Sequence, residues 1–166
     1  MTQPAPSGDR AIVSISVRVS APEAFRIFTE EIDQWWRHGR KYRLGRGRSV
    51  LHLEPRLGGR LYESFGEGPR TRIYETGQVL VWEPPARFVL EWRAANFAPE
   101  EKTEVEVRFA PSGPSTLVTL EHRGWSNIRA DHPARHGEPV PAFVRQLGLW
   151  WGDLLSSLRE HAAGKG

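Results

Sequence analysis

Short stretches in which apolar and polar residues alternate recur along most of the chain. In the first stretch, Val13, Ile15, Val17 and Val19 alternate with polar side chains, which is the period-two pattern of a strand with one buried face. Glycine and proline clusters separate the later stretches, and short links of this kind favour antiparallel pairing. The predicted strands cover residues 11–19, 50–53, 60–65, 72–81, 87–93, 103–109 and 116–123.

Two short helices are predicted between the first and second strands. Ser20-Ala21-Pro22-Glu23 has the pattern of a capping box, in which Ser20 accepts an early amide N–H and Glu23 reaches back. Apolar residues then recur from Phe25 at three- and four-residue spacing, as on the buried face of a helix. The pair Trp35-Trp36 falls on the second short helix.

A long amphipathic helix is predicted from Ala142 onward. Its apolar stripe consists of Phe143, Leu147, Trp150, Trp151, Leu154, Leu155 and Leu158. Together the elements indicate an α+β helix-grip fold: a curved antiparallel sheet of about seven strands, with the long C-terminal helix in its concave face. We expect a single domain over residues 11–163, preceded by a disordered segment, residues 1–10. The loop over residues 127–141, which contains several prolines and histidines, is a candidate lid.

Composition limits the function further. The chain has 166 residues, a net charge of +3 and no cysteine, which excludes disulfides and thiolate catalysis. Its start is polar and no run is long enough to span a membrane, so we expect a cytoplasmic protein. The basic stretch from Arg37 to Arg48 carries no nucleic-acid motif and is interpreted as a solvated loop, with no nucleic-acid partner.

Five segments resemble one known family. They are Gly77–Trp92 (GQVLVWEPPARFVLEW), Ser20–Glu23 with Phe28, Trp35-Trp36, Glu54–Gly59 (EPRLGG) and Leu120–Trp125 (LEHRGW). In this order they resemble the START/birch-pollen-allergen-like (SRPBCC) superfamily, in the branch of the activator of heat-shock-protein-90 ATPase homologue-like proteins. The resemblance implies the helix-grip fold and a cavity between sheet and helix. Members of this superfamily include lipid and hormone carriers, polyketide cyclases, hydrolases and co-chaperone domains, so the fold alone does not select a function.

An apolar binding cavity is predicted from the strand faces. Alternation places His122 on the same face as Val118 and Leu120, towards the cavity mouth, whereas the face of Tyr62 is ambiguous. An empty cavity of ~300 Å³ would cost about 7 kcal/mol, so either a ligand or water occupies the space or the tryptophans fill it as ordinary core. The predicted ligand-binding residues are Trp36, Tyr62, Trp92, His122, Phe143, Leu147 and Trp151.

The sequence supports a catalytic site or a metal site less than it supports a binding cavity. With an ordinary pKa, His122 would suit a general base or a hydrogen-bond donor to a ligand carbonyl, and the alternative is a core histidine satisfied by a neighbour. The spacing of His132 and His136 would suit a metal only on a helix, and Pro133 argues against one. We therefore predict no metal, no cofactor and no catalytic residue.

Three functional hypotheses remain open from the sequence. The first is a cytosolic module that binds an apolar small molecule between sheet and helix. The second is a co-chaperone-like domain that binds a chaperone and acts on its ATPase. The third is a cyclase- or hydrolase-type enzyme in which His122 and Tyr62 supply acid and base groups. Either a monomer or a homodimer is compatible with all three.

Overall fold

A computed structural model describes residues 10–44, 49–93, 101–125, 128 and 139–164. The elements are β1 (Arg10–Val17), α1 (Ala21–Glu30), α2 (Ile32–Trp35), β2 (Ser49–Leu53), β3 (Arg60–Phe65), β4 (Arg72–Glu83), β5 (Arg87–Trp92), β6 (Thr103–Ser112), β7 (Ser115–Arg123) and α3 (Val140–Ala163). The predicted α+β fold with a long C-terminal helix is confirmed. Of the sequence predictions, the segment 1–9, most of the loop 127–141, and both His132 and His136 lie outside the described residues.

The strands form one antiparallel sheet in the order β1-β7-β6-β5-β4-β3-β2. Consecutive strands from β2 to β7 are neighbours, as their short links predict. The first strand pairs with the last, with Val13 opposite Leu120. This pairing places β1 and β2 at opposite edges of the sheet.

Turn residues decide where two of the elements begin and end. Strand β6 runs to Ser112 and β7 starts at Ser115, whereas the predicted strands end at residue 109 and begin again at residue 116. Gly113 has φ +60°, and a positive φ lets a very short loop join antiparallel strands. Helix α3 begins at Val140 rather than Ala142, because Pro141 lies in its first turn, where no intrahelical N–H bond is needed.

The core lies between the sheet and the three helices. On α1, the Ser20 side chain caps the helix by accepting a hydrogen bond from the Glu23 amide at 3.3 Å. Phe25 of α1 packs edge-on against Phe88 and at a tilt against Phe109, with ring centroids 5.8 and 5.0 Å apart. The predicted stripe of α3 is buried from Trp151 onward and completes this core. In the described part of the chain, no helix is both long and apolar enough to cross a membrane.

Strands β4 and β5 approach closely at Gly77. A Cβ atom on Gly77 would lie 1.8 Å from the carbonyl oxygen of Glu91, so any larger residue must displace backbone. The register of β3 against β4 also shifts between Leu61 and Tyr62. The glycine that begins the GQVLVWEPP segment therefore sets the local geometry at the end of β5, next to Trp92.

Candidate functional site

Four tryptophans meet where the ends of α2 and β5 approach the middle of α3. Trp36 is the residue that caps α2, and Trp92 is the last residue of β5. Trp36 lies 6.5 Å from Trp92, 6.0 Å from Trp150 and 5.6 Å from Trp151, measured between ring centroids. Trp150 and Trp151 are 4.9 Å apart in an edge-on arrangement. We refer to these four side chains as the tryptophan cluster.

A cleft of about 170 Å³ opens on one side of the tryptophan cluster. It lies between the β2–β5 part of the sheet and Trp150 of α3. The aromatic and core aliphatic side chains that line it are Trp36, Tyr42, Trp92, Trp150, Leu51 and Leu61. We refer to this space as the tryptophan cleft. Its walls are suited to a flat apolar group, because aromatic faces and edges pack favourably against one another.

Charged side chains also line the tryptophan cleft. Arg40, Lys41 and Arg93 contribute positive charge, and Glu63 contributes a carboxylate. The Glu63 side chain belongs to a residue only 3% exposed, and its Oε2 accepts a hydrogen bond from the Leu44 amide at 2.7 Å. Arg40 and Lys41 are exposed, so we refer to the solvent side of the cleft, where they lie, as its mouth.

Arg43, the remaining cation of the cleft lining, is fully engaged within the protein. Its Nε donates to the Arg37 carbonyl at 3.2 Å, and Nη1 donates to Asp33 Oδ1 at 2.6 Å and to the Ser49 carbonyl at 2.9 Å. Nη2 donates to the carbonyls of Asp33 and Trp36 at 2.9 and 2.8 Å. The basic stretch, interpreted from the sequence as a solvated loop, thus includes a buried arginine that holds its own segment against the core.

The Asp33 carboxylate that pairs with Arg43 is kept ionised by its surroundings. Burial by itself would raise its pKa, but the hydrogen bonds from the Leu51 amide and from Arg43 outweigh that effect and lower the pKa below its ordinary value. The Leu51 amide donates to Asp33 Oδ1 at 2.9 Å. Asp33 therefore joins α2 to β2 beside the cleft.

His122 lies behind the tryptophan cluster and is 1% exposed. Its Nδ1 accepts a hydrogen bond from the indole N–H of Trp151 at 3.1 Å, so the ring proton is on Nε2. Nε2 lies 2.7 Å from Thr103 Oγ1 and donates to it, and that hydroxyl donates in turn to the Trp92 carbonyl at 3.1 Å. Both ring nitrogens are thus occupied by protein partners.

This environment removes His122 from acid–base chemistry near neutral pH. Burial lowers the pKa of His122 to about 3, because the charged imidazolium loses its hydration. A catalytic base must have a nitrogen within reach of a substrate proton and a pKa near the working pH. The role of general base considered from the sequence is therefore wrong for this conformation, and the alternative of a satisfied core histidine fits the observed contacts.

The seven residues predicted to bind a ligand are only partly brought together. Trp36 and Trp92 line the tryptophan cleft. Trp151 and His122 lie behind the cleft. Phe143 belongs to a second buried cluster together with Trp125. Leu147 also packs against this second cluster. Tyr62 lies on the other face of the sheet from Leu61 and Glu63, and stacks on His52 at 4.6 Å between centroids.

Several residues of the cleft were absent from the predicted set. Trp150 was recognised in the stripe of α3, but its orientation towards the cleft depends on the position of Trp36. Leu61 and Glu63 follow from strand alternation once Tyr62 is known to face outwards. Thr76 lies at the register shift between β3 and β4, where simple alternation does not assign a face.

The sequence matches a known family over most of its length. Residues 18–148 match the family described as activator of Hsp90 ATPase homolog 1-like protein. The matched segment runs from the residue after β1 to the first half of α3, and it includes the described residues that line the tryptophan cleft except Trp150. No curated protein matches the sequence.

Solved structures share the fold. Protein NE0264 from Nitrosomonas europaea is 14% identical with a TM-score of 0.64, covering 99% of this chain and 100% of that one. The Aha1 dimer from Colwellia psychrerythraea is 14% identical with a TM-score of 0.62, covering 95% and 98%. CalU16 from Micromonospora echinospora is 20% identical with a TM-score of 0.59, covering 95% and 76%. The resemblance seen in the sequence is thus confirmed, and the chain belongs to the family of activator of Hsp90 ATPase homolog 1-like proteins.

Proposed function

We propose that this protein binds a small hydrophobic molecule in the tryptophan cleft, between the sheet and the C-terminal helix. The observation that carries the proposal is a space of about 170 Å³ lined by Trp36, Trp92 and Trp150. Apolar side chains that surround an empty space make fewer packing contacts. Binding of an apolar molecule there restores these contacts and is therefore favourable. We place this binding in the cytoplasm, as the sequence analysis expects.

The size of the cleft sets the size of the ligand. Drug-sized ligands occupy pockets of about 300–1,000 Å³, whereas an apolar cavity of about 150 Å³ accommodates benzene. A cleft of about 170 Å³ therefore fits one aromatic ring with a short substituent. This is smaller than the ~300 Å³ considered from the sequence, because Trp150 and Trp151 pack closely against Trp36.

Toluene is a suitable first probe because it is a single apolar ring. We expect binding with a Kd of about 1 mM or tighter, given the few atoms it buries. Ligand-observed NMR measures this binding directly. Bromobenzene, which has nearly the same shape, should also quench tryptophan fluorescence, because its heavy atom would lie against three indole rings.

A substitution that fills the cleft tests the location. Thr76 is half-buried and lines the space, so Thr76→Phe should weaken toluene binding by at least about tenfold, equivalent to about 1.4 kcal/mol. Gln78→Phe is the matched control, since it adds the same ring to an exposed position of the same strand. Equal affinities for Thr76→Phe and Gln78→Phe, or no binding of either probe by the natural protein, would refute the proposal.

The other two hypotheses receive less support from the site. The enzyme hypothesis relied on His122 and Tyr62, but His122 is hydrogen-bonded through both nitrogens and Tyr62 lies on the opposite face of the sheet. Action on a chaperone ATPase remains a prediction from the family resemblance. Stimulated ATP hydrolysis in the presence of this protein would be the measurement that supports it.

A further inference from the structure

The charges around the tryptophan cleft are unevenly distributed. Among the residues that the structure describes, its lining contains four cationic side chains and one carboxylate, that of Glu63. The cations are Arg40, Lys41, Arg43 and Arg93. A ligand that enters the cleft therefore passes an excess of positive charge.

Some of this charge is already engaged inside the protein. Arg43 pairs with Asp33, and the Nζ of Lys41 lies 3.5 Å from Asp153 Oδ2. Arg40 is exposed, and its guanidinium has no carboxylate partner among the residues that the structure describes. Its five N–H donors are thus available to an incoming acceptor, and a guanidinium binds a carboxylate through two parallel hydrogen bonds.

We propose that the ligand of this cleft is an anion, a single aromatic ring that carries a carboxylate on a short substituent. The ring would pack among Trp36, Trp92 and Trp150, and the carboxylate would lie at the mouth near Arg40. This inference rests on the proposed function and adds the chemical class of its ligand. A charged group at the mouth keeps contact with water, so the ligand buries its apolar part without desolvating its charge completely.

The opposite charge is the main competing choice. Indole rings around a carboxylate are suited to a cationic ligand, because ring faces attract positive charge. Glu63, however, already accepts a hydrogen bond from the Leu44 amide at 2.7 Å. Arg40, which has no carboxylate partner among the described residues, would also repel a cation at the mouth. The observed lining therefore favours an anion.

Three probes with the same ring and different charges test the inference. They are phenylacetate, ethylbenzene and 2-phenylethylammonium, each titrated at low salt with binding followed by ligand-observed NMR. We expect phenylacetate to bind about fivefold more tightly than ethylbenzene, the size of one favourable exposed charge pair. The ammonium compound should bind more weakly than ethylbenzene. High salt should reduce the preference for phenylacetate, since exposed charges are screened.

A single substitution assigns the preference to the mouth. Arg40→Gln should remove most of the advantage of phenylacetate over ethylbenzene, so that the affinities of the two probes for this variant become nearly equal. Arg159→Gln is the matched control: it removes the same charge from an exposed position of α3 outside the cleft lining. This control should keep the full preference.

The outcomes separate this inference from the proposed function. If none of the three probes binds, the proposed function fails and the inference fails with it. If ethylbenzene binds but phenylacetate is no tighter, only the inference is overturned. Tightest binding by the ammonium compound would assign Glu63 and the indoles as a cation site instead. Loss of the preference in Arg159→Gln as well as Arg40→Gln would show a general charge effect and would also overturn the inference.

Discussion

At the scale of single residues, the side chains that contact His122 determine its hydrogen bonds and its protonation state. The sequence places His122 on the inward face of a strand, a position compatible with catalysis or with a core role. Trp151 and Thr103 occupy its two nitrogens, and each of these partners comes from a distant part of the chain. The result is a neutral histidine that joins β7, β6 and α3.

The neutral state of His122 predicts an acid-sensitive stability. A histidine in the unfolded chain takes up its proton near its ordinary pKa of 6.5, whereas in the folded protein the pKa of His122 is lowered to about 3. Between these values the unfolded state binds more protons, so the free energy of unfolding decreases as the pH falls. For one group the slope is about 1.4 kcal/mol per pH unit.

Urea unfolding of the natural protein and His122→Gln, compared between about pH 6 and about pH 5, measures this slope. Glutamine can accept from the Trp151 indole and donate to Thr103, but it does not titrate. We expect the slope of the variant to be smaller by about 1.4 kcal/mol per pH unit. Identical slopes in the two proteins would contradict the neutral assignment of His122.

At the scale of elements, two glycines with opposite surroundings show where packing overrides propensity. Gly77 lies in β4 against the backbone of β5. Gly148 lies in the interior of α3, where an added Cβ atom would meet nothing within 4 Å outside the nearby helix backbone. A glycine is unfavourable in either kind of element by intrinsic propensity. Only the tertiary contact at Gly77 makes it necessary there.

The two glycines therefore respond oppositely to alanine. Gly77→Ala should lower the free energy of unfolding by about 2 kcal/mol or more, because the new Cβ would lie 1.8 Å from the Glu91 carbonyl oxygen. Gly148→Ala, the control, should raise it by about 0.5–1 kcal/mol through helix propensity. Thermal or urea unfolding measures both. A neutral Gly77→Ala variant would show that β4 and β5 can separate without cost.

At the scale of the whole molecule, Arg43 joins parts that the chain order separates. Its guanidinium bonds to Asp33 and Trp36 in and after α2, and to the Ser49 carbonyl at the start of β2. These contacts hold the segment that forms one wall of the tryptophan cleft. The cleft thus depends on the ion pair between buried Arg43 and partly exposed Asp33 as well as on aromatic packing.

Replacing Arg43 by lysine tests this role. The lysine keeps the charge but cannot reproduce the planar arrangement of donors, so several carbonyls would lose their partner. We expect the free energy of unfolding to fall by about 2–4 kcal/mol, measured by urea denaturation. Arg159→Lys, at an exposed position, should change it by less than about 0.5 kcal/mol. Similar effects of the two substitutions would contradict a buried structural role for Arg43.

Strand alternation and helix capping in the sequence predicted most helices and strands near their observed positions. Strand β3 was predicted with the observed bounds, and the start of α1 followed from Ser20, whose side chain caps the helix. Alternation and capping depend on residues that are neighbours in the sequence. The bounds differ at other ends: β1, predicted over residues 11–19, ends at Val17, and β4, predicted over residues 72–81, continues to Glu83. At Gly113 and Pro141, one residue allows an element to extend further than its surroundings suggest.

The sequence by itself determined the strands, the helices, their antiparallel order from β2 to β7 and the family of the chain. Tertiary structure decided that β1 pairs with β7, that Trp151 satisfies His122, and that Trp150 rather than Tyr62 lines the cleft. These outcomes depend on contacts between residues far apart in the chain. Periodicity shows which face of an element is apolar, but not which distant side chain fills the space opposite it.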